Sequence, residues 1–294
     1  MNSFKCLVCE GKAAPWGSKK TGAVTYEIAR CANSACGFSY STFRPTREDI
    51  DRIYGHSGHA DTAPKSLSAI MQAETVYPNS TIDAIRMVSR VRALLGDATS
   101  PSLLDVGAGY GFFSKSALQA GFRVTALEFA ANESRIFTEL TGLTPVETTF
   151  ETYNGENGAF SAVLMSQVLE HASDFQMWIA KSQSLLKTGG VLAVAVPNFN
   201  SAIRYVMGIN EPHICPPEHV NYFTMKAICL LMKKHGFVIE GAETVSRLNP
   251  VAVSRKLHAG NMGAKLLGPV CSILTGIMDG FKFGMYLNIY ARKG

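Results

Sequence analysis

The chain has 294 residues, 47% of them hydrophobic and 17% charged. That suits one large α/β domain with a small appendage and excludes a peptide, a disordered tail or a fibre. The formal charge of +5 is scattered over pairs such as Lys19-Lys20, Lys233-Lys234 and Arg255-Lys256, so without a basic stripe nucleic acid is not the expected partner.

The first forty residues hold four of the seven cysteines: Cys6 and Cys9 as C-x2-C, then about twenty residues later Cys31 and Cys36 as C-x4-C. An odd total of cysteines argues against a disulfide framework. Each short spacing lets two thiolates grip one ion, and four thiolates make a closed structural Zn(II) site in a segment too small for its own core. The β-like run 24–30 lies between the two pairs. The first module is therefore 1–45, followed by a connector and helix over 46–79, where Pro45, Gly55, Gly58 and Pro64 interrupt the pattern. A helix should open near Ser80, with Ser80-x-x-Asp83 as a capping box and Ile82, Ile85, Val88, Val91 and Leu95 on one apolar face.

From Ser102 a short apolar strand runs into Asp105, Gly107, Ala108, Gly109 and Gly111, and a helical pattern follows over 114–120. Glycine lets the backbone turn sharply and a ligand lie against it. A second strand over 123–129 ends in Glu128 and Phe129, and a carboxylate so placed can accept hydrogen bonds from both ribose hydroxyls. The spacing is G-x-G-x-G, not the dinucleotide G-x-G-x-x-G, and the preceding Asp105 suits a ligand with a cationic ammonium or sulfonium better than a pyrophosphate.

This combination resembles motif I of the class I S-adenosylmethionine-dependent methyltransferases. The resemblance extends from about residue 80 to the end: the run 160–171 ending in Leu-Glu-His is similar to the family's fourth strand and loop, and Leu-Leu-Lys-Thr-Gly-Gly before 191–198 to its fifth strand. It implies an α/β fold, a Rossmann-like doubly wound seven-stranded sheet with an antiparallel last strand, over 80–294. A helix over 224–235 and strands over 237–245 and 285–291 complete it. S-adenosylmethionine would then be held by Asp105, Gly107, Ala108, Gly109, Gly111, Glu128 and Phe129. Ser166, Gln167 and His171 would contribute from the Leu-Glu-His loop. Where relatives often carry Asp toward the adenine amino group this chain has Thr149, so Thr149 or Glu151 would serve there, with the backbone of Phe150 facing the ring. The front half resembles the N-terminal zinc module of methyltransferases from sugar and polysaccharide pathways, which would bring Tyr54, His56 and His59 toward the active-site mouth.

Methyl transfer to a hydroxyl or acidic carbon needs a positioned acceptor and somewhere for its proton to go. The segment from Glu211 to Thr224 offers His219 and Tyr222, in a Pro-Glu-His-x-x-Tyr-Phe run similar to the family's acceptor loop, and His213, with Glu218 as a partner able to set its tautomer. Cys215, between Ile214 and two prolines, reads as packing. The stretch 254–284 is too long for a hairpin connection and reads as an inserted helix or lid, open to covering the acceptor pocket, a homodimer contact or peripheral membrane contact. Interrupted at Gly268 and Pro269 and stopped by Asp279, it falls short of the about 18 to 20 apolar residues of a spanning helix. With no signal-peptide pattern at the start, the expected location is cytoplasmic. The leading expectation is a small-molecule methyltransferase acting on a sugar, nucleotide-sugar, glycolipid or secondary metabolite; the alternatives are an RNA methyltransferase whose ribbon grips RNA, and a zinc-stabilised binding protein without catalysis.

Overall fold

The computed structural model describes residues 4–54, 64, 66–248, 250, 254 and 260–294. In chain order these form β1 (Phe4–Lys5), β2 (Lys12–Thr21), β3 (Val24–Cys31), β4 (Ser39–Ser41), α1 (Arg47–Tyr54), α2 (Leu67–Val76), α3 (Asn79–Leu94), β5 (Ser102–Val106), α4 (Phe112–Gln119), β6 (Arg123–Leu127) and α5 (Ala131–Thr141). They continue with β7 (Phe160–Ser166), α6 (Phe175–Leu185), β8 (Leu186–Pro197), α7 (Ala202–Met207), β9 (Asn221–Tyr222), α8 (Met225–Lys234), β10 (Phe237–Val245), α9 (Gly260–Gly280) and β11 (Tyr286–Lys293). The sequence readings at His56 and His59 lie outside the described residues.

The larger sheet has the order β10-β11-β8-β7-β5-β6. β6, β5, β7 and β8 run parallel, and β11 is inserted antiparallel between β8 and β10. β5 is buried at every residue and β7 at all but its last, as expected of parallel strands covered on both faces. Among the described residues this sheet has six strands where the sequence suggested seven. The missing one shrinks to an isolated parallel bridge between Leu127 and Val146. Pro145 has no N–H to donate, and Thr148 turns back to hydrogen-bond the Val146 carbonyl at 2.9 Å, so the chain leaves the sheet at once.

The opening of α3 also differs from the capping box expected at Ser80. The N-cap is Pro78, without a side-chain hydrogen bond, and the cap comes from α2: the Glu74 carboxylate accepts from the backbone N–H groups of Ser80 and Thr81, at 3.1 and 3.0 Å. The buried face is Ala84, Met87, Val88 and Val91, while Ile82 and Ile85 are each 52% exposed. The helix has rotated toward Met87, whose unbranched side chain fills the gap against β5 and β8.

The second sheet, β1-β2-β3-β4-β9, carries the cysteines but is not closed on itself. Its fifth strand comes from the acceptor segment: Ser39 pairs with Tyr222 and Tyr40 with Asn221. Phe38 packs edge-on against Phe175 of α6, with ring centroids 5.2 Å apart, and against Phe223 at 5.1 Å. The Thr224 hydroxyl, which accepts from Ala227 N–H as the N-cap of α8, also donates to the Cys36 carbonyl at 2.6 Å. Arg44 closes the seam. Its guanidinium donates to Asn221 Oδ1 at 2.8 Å, to the Ala172 carbonyl at 2.9 Å and to the Ser173 carbonyl, and burial lowers its pKa to about 10. The N-terminal sheet is thus welded to the larger fold by groups that no local signal reveals.

Among the described residues no helix is long and apolar enough to cross a membrane. In α9, Ile273, Leu274 and Ile277 are exposed. Replacing Arg44 with Ala strips several buried carbonyls of their donor; we expect a loss of about 3 kcal/mol, measurable as a lower urea midpoint at constant m-value, and a change under 0.5 kcal/mol would remove Arg44 from this role.

Candidate active site

At the carboxyl ends of the parallel strands lies a cavity of about 410 Å³. It is built around the turn from β5 to α4. Gly107 and Gly111 have φ of 64° and 91°, in the left-handed region. A Cβ on Gly107 would come 2.5 Å from Val168, and one on Gly111 would come 2.8 Å from Phe137 and Thr141. At Gly109, also left-handed, a Cβ would meet nothing within 4 Å: the first and last glycines let protein pack on protein, while the middle one leaves a bare backbone facing the cavity.

Glu128 is fixed above this turn. One carboxylate oxygen accepts from Gly109 N–H at 2.8 Å, the other from Ala130 N–H at 2.9 Å. It therefore holds its orientation before any ligand arrives, and a carboxylate with about four lone-pair sites is the acceptor type that suits a pair of hydroxyls. Asp105 lies beneath, buried, accepting from the Ser114 hydroxyl at 2.6 Å. Burial is the main reason its pKa rises to about 6, so it is ionised at neutral pH and welcomes a nearby cation.

The structure brings Asp105, Gly107, Ala108, Gly109, Gly111, Glu128, Phe129, Thr149, Phe150, Glu151, Ser166, Gln167 and His171 together around this cavity. Thr149 lies close to Thr152, with hydroxyls 3.1 Å apart. The Glu151 carboxylate accepts from the Trp178 indole N–H at 2.9 Å. The Phe150 carbonyl accepts from Lys181 at 2.6 Å, and its ring stands edge-on to Trp178. Gln167 has a positive φ of 57°, which turns the loop back over the glycines, and its N–H donates to the Ala195 carbonyl. Sequence reasoning missed Trp178, Val168 and Ser80 in the lining; only tertiary packing brings them there.

The acceptor segment falls into two groups. Three imidazoles stand in a row: His171 edge-on to His219 at 4.6 Å, and His219 stacked on His213 at 6.3 Å. His171 Nδ1 donates to the Glu218 carbonyl and His219 Nδ1 to the His213 carbonyl, so in both neutral rings Nε2 carries the lone pair. Glu170 joins them, with one oxygen and the two imidazole nitrogens within 4.8 Å of one another. His213 has its own relay. Nδ1 meets the Glu211 carboxylate at 2.5 Å, and Nε2 lies 3.1 Å from the Tyr286 hydroxyl. The carboxylate that orients His213 is thus Glu211, where the sequence suggested Glu218. Tyr222 packs with Ile28, Phe199 and Ile214, donates its hydroxyl to the His219 carbonyl at 2.7 Å, and has its pKa raised by burial. Burial also pushes the Cys215 thiol up to about 12, consistent with packing.

Away from the cavity, the sulfurs of Cys6, Cys9, Cys31 and Cys36 lie within 4.8 Å of one another, with Cys6–Cys36 at 3.7 Å and Cys9–Cys31 at 3.4 Å. A tetrahedron of thiolates about 2.3 Å from a zinc ion has edges of about 3.8 Å, so the quartet fits one. Without a dication the four cannot ionise together: hydrogen bonding from Cys36 lowers Cys6 to about 5, while burial raises Cys31 to about 11.

A methyltransferase domain family model matches residues 35–241. The chain belongs to the methyltransferase domain family. The ubiquinone biosynthesis O-methyltransferase of Methylocella silvestris is 32% identical over 165 residues, covering 51% of this chain and 63% of that protein. A counterpart from Caulobacter vibrioides is 36% identical over 107 residues, covering 33% and 41%. The chain thus matches less than two thirds of the length of these curated relatives. Among solved structures, a SAM-dependent methyltransferase of Thermotoga maritima aligns over 78% of this chain and 96% of its own at 16% identity, TM-score 0.52. The 1,6-didemethyltoxoflavin-N1-methyltransferase of Burkholderia thailandensis aligns over 94% and 98% at 16% identity, TM-score 0.50. At these identities the structures establish the fold alone, a class I SAM-dependent methyltransferase fold.

Glu170 carries a prediction about pH. Burial raises its carboxyl to about 8, and neither oxygen has a hydrogen-bond partner among the described residues. In the unfolded chain it releases its proton near pH 4.3, so above that pH the native state holds a proton the unfolded state has lost. Stability therefore falls as pH rises from about 4.3 to about 8. Glu170→Gln should flatten this slope and exceed the parent at pH 8, read from urea unfolding at pH 5.5 and pH 8; equal slopes would refute it.

Proposed function

We propose that this protein transfers the methyl group of S-adenosylmethionine to a hydroxyl oxygen of a small-molecule acceptor. The observation that carries the reading is the Glu128 carboxylate, clamped by Gly109 and Ala130 N–H groups above a bare glycine backbone. S-adenosylmethionine supplies an electrophilic methyl on a sulfonium centre. Glu128 would take the ribose hydroxyls, and the bare backbone at Gly109 lets the cofactor approach. Phe129, Thr149, Phe150 and Glu151 flank the adenine side. Asp105 stabilises positive charge from below, with Ser166, Gln167 and His171 closing the methyl-donor end.

The O-methyltransferase names of the curated relatives direct the reading to oxygen. A hydroxyl attacking a sulfonium methyl must shed a proton, and the Glu211–His213–Tyr286 relay offers the route. With Nδ1–H held by Glu211, His213 accepts at Nε2 from Tyr286, so a proton delivered to the tyrosine oxygen passes to the imidazole while the carboxylate stabilises the imidazolium. His219 and Glu218 position this loop through the His213 and Glu218 carbonyls. The sugar, nucleotide-sugar and glycolipid acceptors suggested by the sequence also present hydroxyls and stay within this reading. The cysteine quartet holds structural Zn(II).

Calorimetric titration with S-adenosylhomocysteine tests the cofactor site. The parent should bind at micromolar concentration and Glu128→Gln at least about tenfold more weakly, since it loses charge-assisted bonds to hydroxyls. Absence of binding by folded parent protein would overturn the reading. Elemental analysis should find one zinc per chain, and Cys36→Ser should lose it and melt several degrees lower; a metal-free protein with an unchanged melting temperature would remove the zinc proposal.

A further inference from the structure

Next to the cofactor cavity lies a second, of about 250 Å³, which shares Ser80, Phe113, Ser166 and Gln167 with it. Met87, Phe113, Ala195 and Val245 give it apolar walls, and Tyr286 and Asn288 line the β11 side. Its charged lining residues, among those described, are Asp83, Arg86 and Arg247. One Asp83 oxygen pairs with Arg86 and the other with Arg247, so one carboxylate answers two guanidinium groups. Glu74, the other carboxylate acting on Arg247, has both oxygens engaged at the start of α3.

A surplus guanidinium in such a place is costly unless something negative joins it. The Arg247 side chain is 15% exposed, lies 5.9 Å from the Tyr286 ring centre and is held beside β11. Arg86 has its Nε buried with no hydrogen-bond partner. Two half-buried to buried guanidinium groups that share one carboxylate, one of them with an unused buried donor, at a cavity lined by both polar and apolar side chains, are an arrangement that binds carboxylate or phosphate through paired N–H groups. Tyr286 ties this cavity to the proton relay, because a residue that lines it is the one whose hydroxyl meets His213.

We propose that this second cavity is the acceptor site and that Arg86 and Arg247 select an acceptor carrying an oxyanion, a carboxylate or phosphate group. The inference rests on the adjoining cavity being the cofactor site. The oxyanion displaces part of the Asp83 pairing and anchors one end of the acceptor, so that its hydroxyl lies between Tyr286 and the shared Ser166–Gln167 wall, facing the methyl donor. The chain thereby distinguishes an acidic acceptor from a neutral one of the same shape.

The test uses full-length protein saturated with S-adenosylhomocysteine, titrated with benzoate, inorganic phosphate and, as a neutral control, benzamide. Benzoate or phosphate should bind saturably and benzamide should not; the tighter anion identifies the acceptor as a carboxylic acid or a phosphate ester. Arg247→Gln should weaken anion binding about tenfold and leave S-adenosylhomocysteine affinity unchanged. Asp83→Asn removes the competing carboxylate and should strengthen it several-fold, a gain that damaged folding does not produce. Anion binding that is absent, matched by benzamide, or indifferent to both substitutions while S-adenosylhomocysteine binds normally would overturn the acceptor site alone. A loss of S-adenosylhomocysteine affinity in Arg247→Gln would also overturn it, by assigning the arginines to the cofactor's own carboxylate. Failure of the folded parent to bind S-adenosylhomocysteine would instead remove the methyltransferase reading on which it rests.

Discussion

The antiparallel pairing of Ser39 and Tyr40 with Tyr222 and Asn221 decides where the acceptor segment lies. Two residues of backbone pairing are weak alone, but they are surrounded by the Arg44 hydrogen bonds, the packing of Phe38 on Phe175 and Phe223, and the bond from Thr224 to the Cys36 carbonyl. His213 and His219 sit on the segment that this seam holds against Glu170, whose carbonyl accepts from both Val220 and Asn221 N–H. The cysteine-bearing sheet is thereby joined to the segment that carries His213 and His219. Ordering a loop costs conformational entropy for every residue fixed, and here the cost is offset by contacts outside the catalytic fold.

Three of the buried carboxyl groups divide the electrostatic work. Glu128 is satisfied by two backbone donors and keeps its direction; Asp105 has one hydroxyl partner and a pKa near 6; Glu170 has no hydrogen-bond partner among the described residues and a pKa near 8. The gradient runs from the rigid cofactor turn toward the histidine row. The arginines on the far side of Gln167 give the neighbouring cavity the opposite sign, so a cationic sulfonium and an acidic acceptor would each meet a complementary wall.

Features carried by a short run of residues were legible in the sequence. The glycine spacing, Asp105 and Glu128 belong to one strand-turn-helix unit and its neighbouring strand, and the cysteine knuckles are local as well. The strand over 237–245 and the helix opening at Thr224 appear as expected. What depends on distant pairing was not legible. Nothing near Asn221 announces a partner at Tyr40, and β2 carries Pro15, which it tolerates at a bulge between Pro15 and Gly17. Glu211 rather than Glu218 reaches His213 because the short helical turn over 208–210 folds the chain back, with Glu211 N–H bonded to the Gly208 carbonyl. Arg86 and Arg247 meet only through the stacking of α3 on the sheet ends, so neither looked unusual in its own segment.

The cysteine-bearing sheet would hold the acceptor loop while the cofactor turn is left to the larger fold. Hydrogen–deuterium exchange on metal-replete and chelated protein tests it most directly. Chelation should accelerate exchange at residues 36–41 and, with them, at 213–223, while 103–112 stay protected. Exchange that rises around the cysteines and leaves 213–223 unchanged would contradict it.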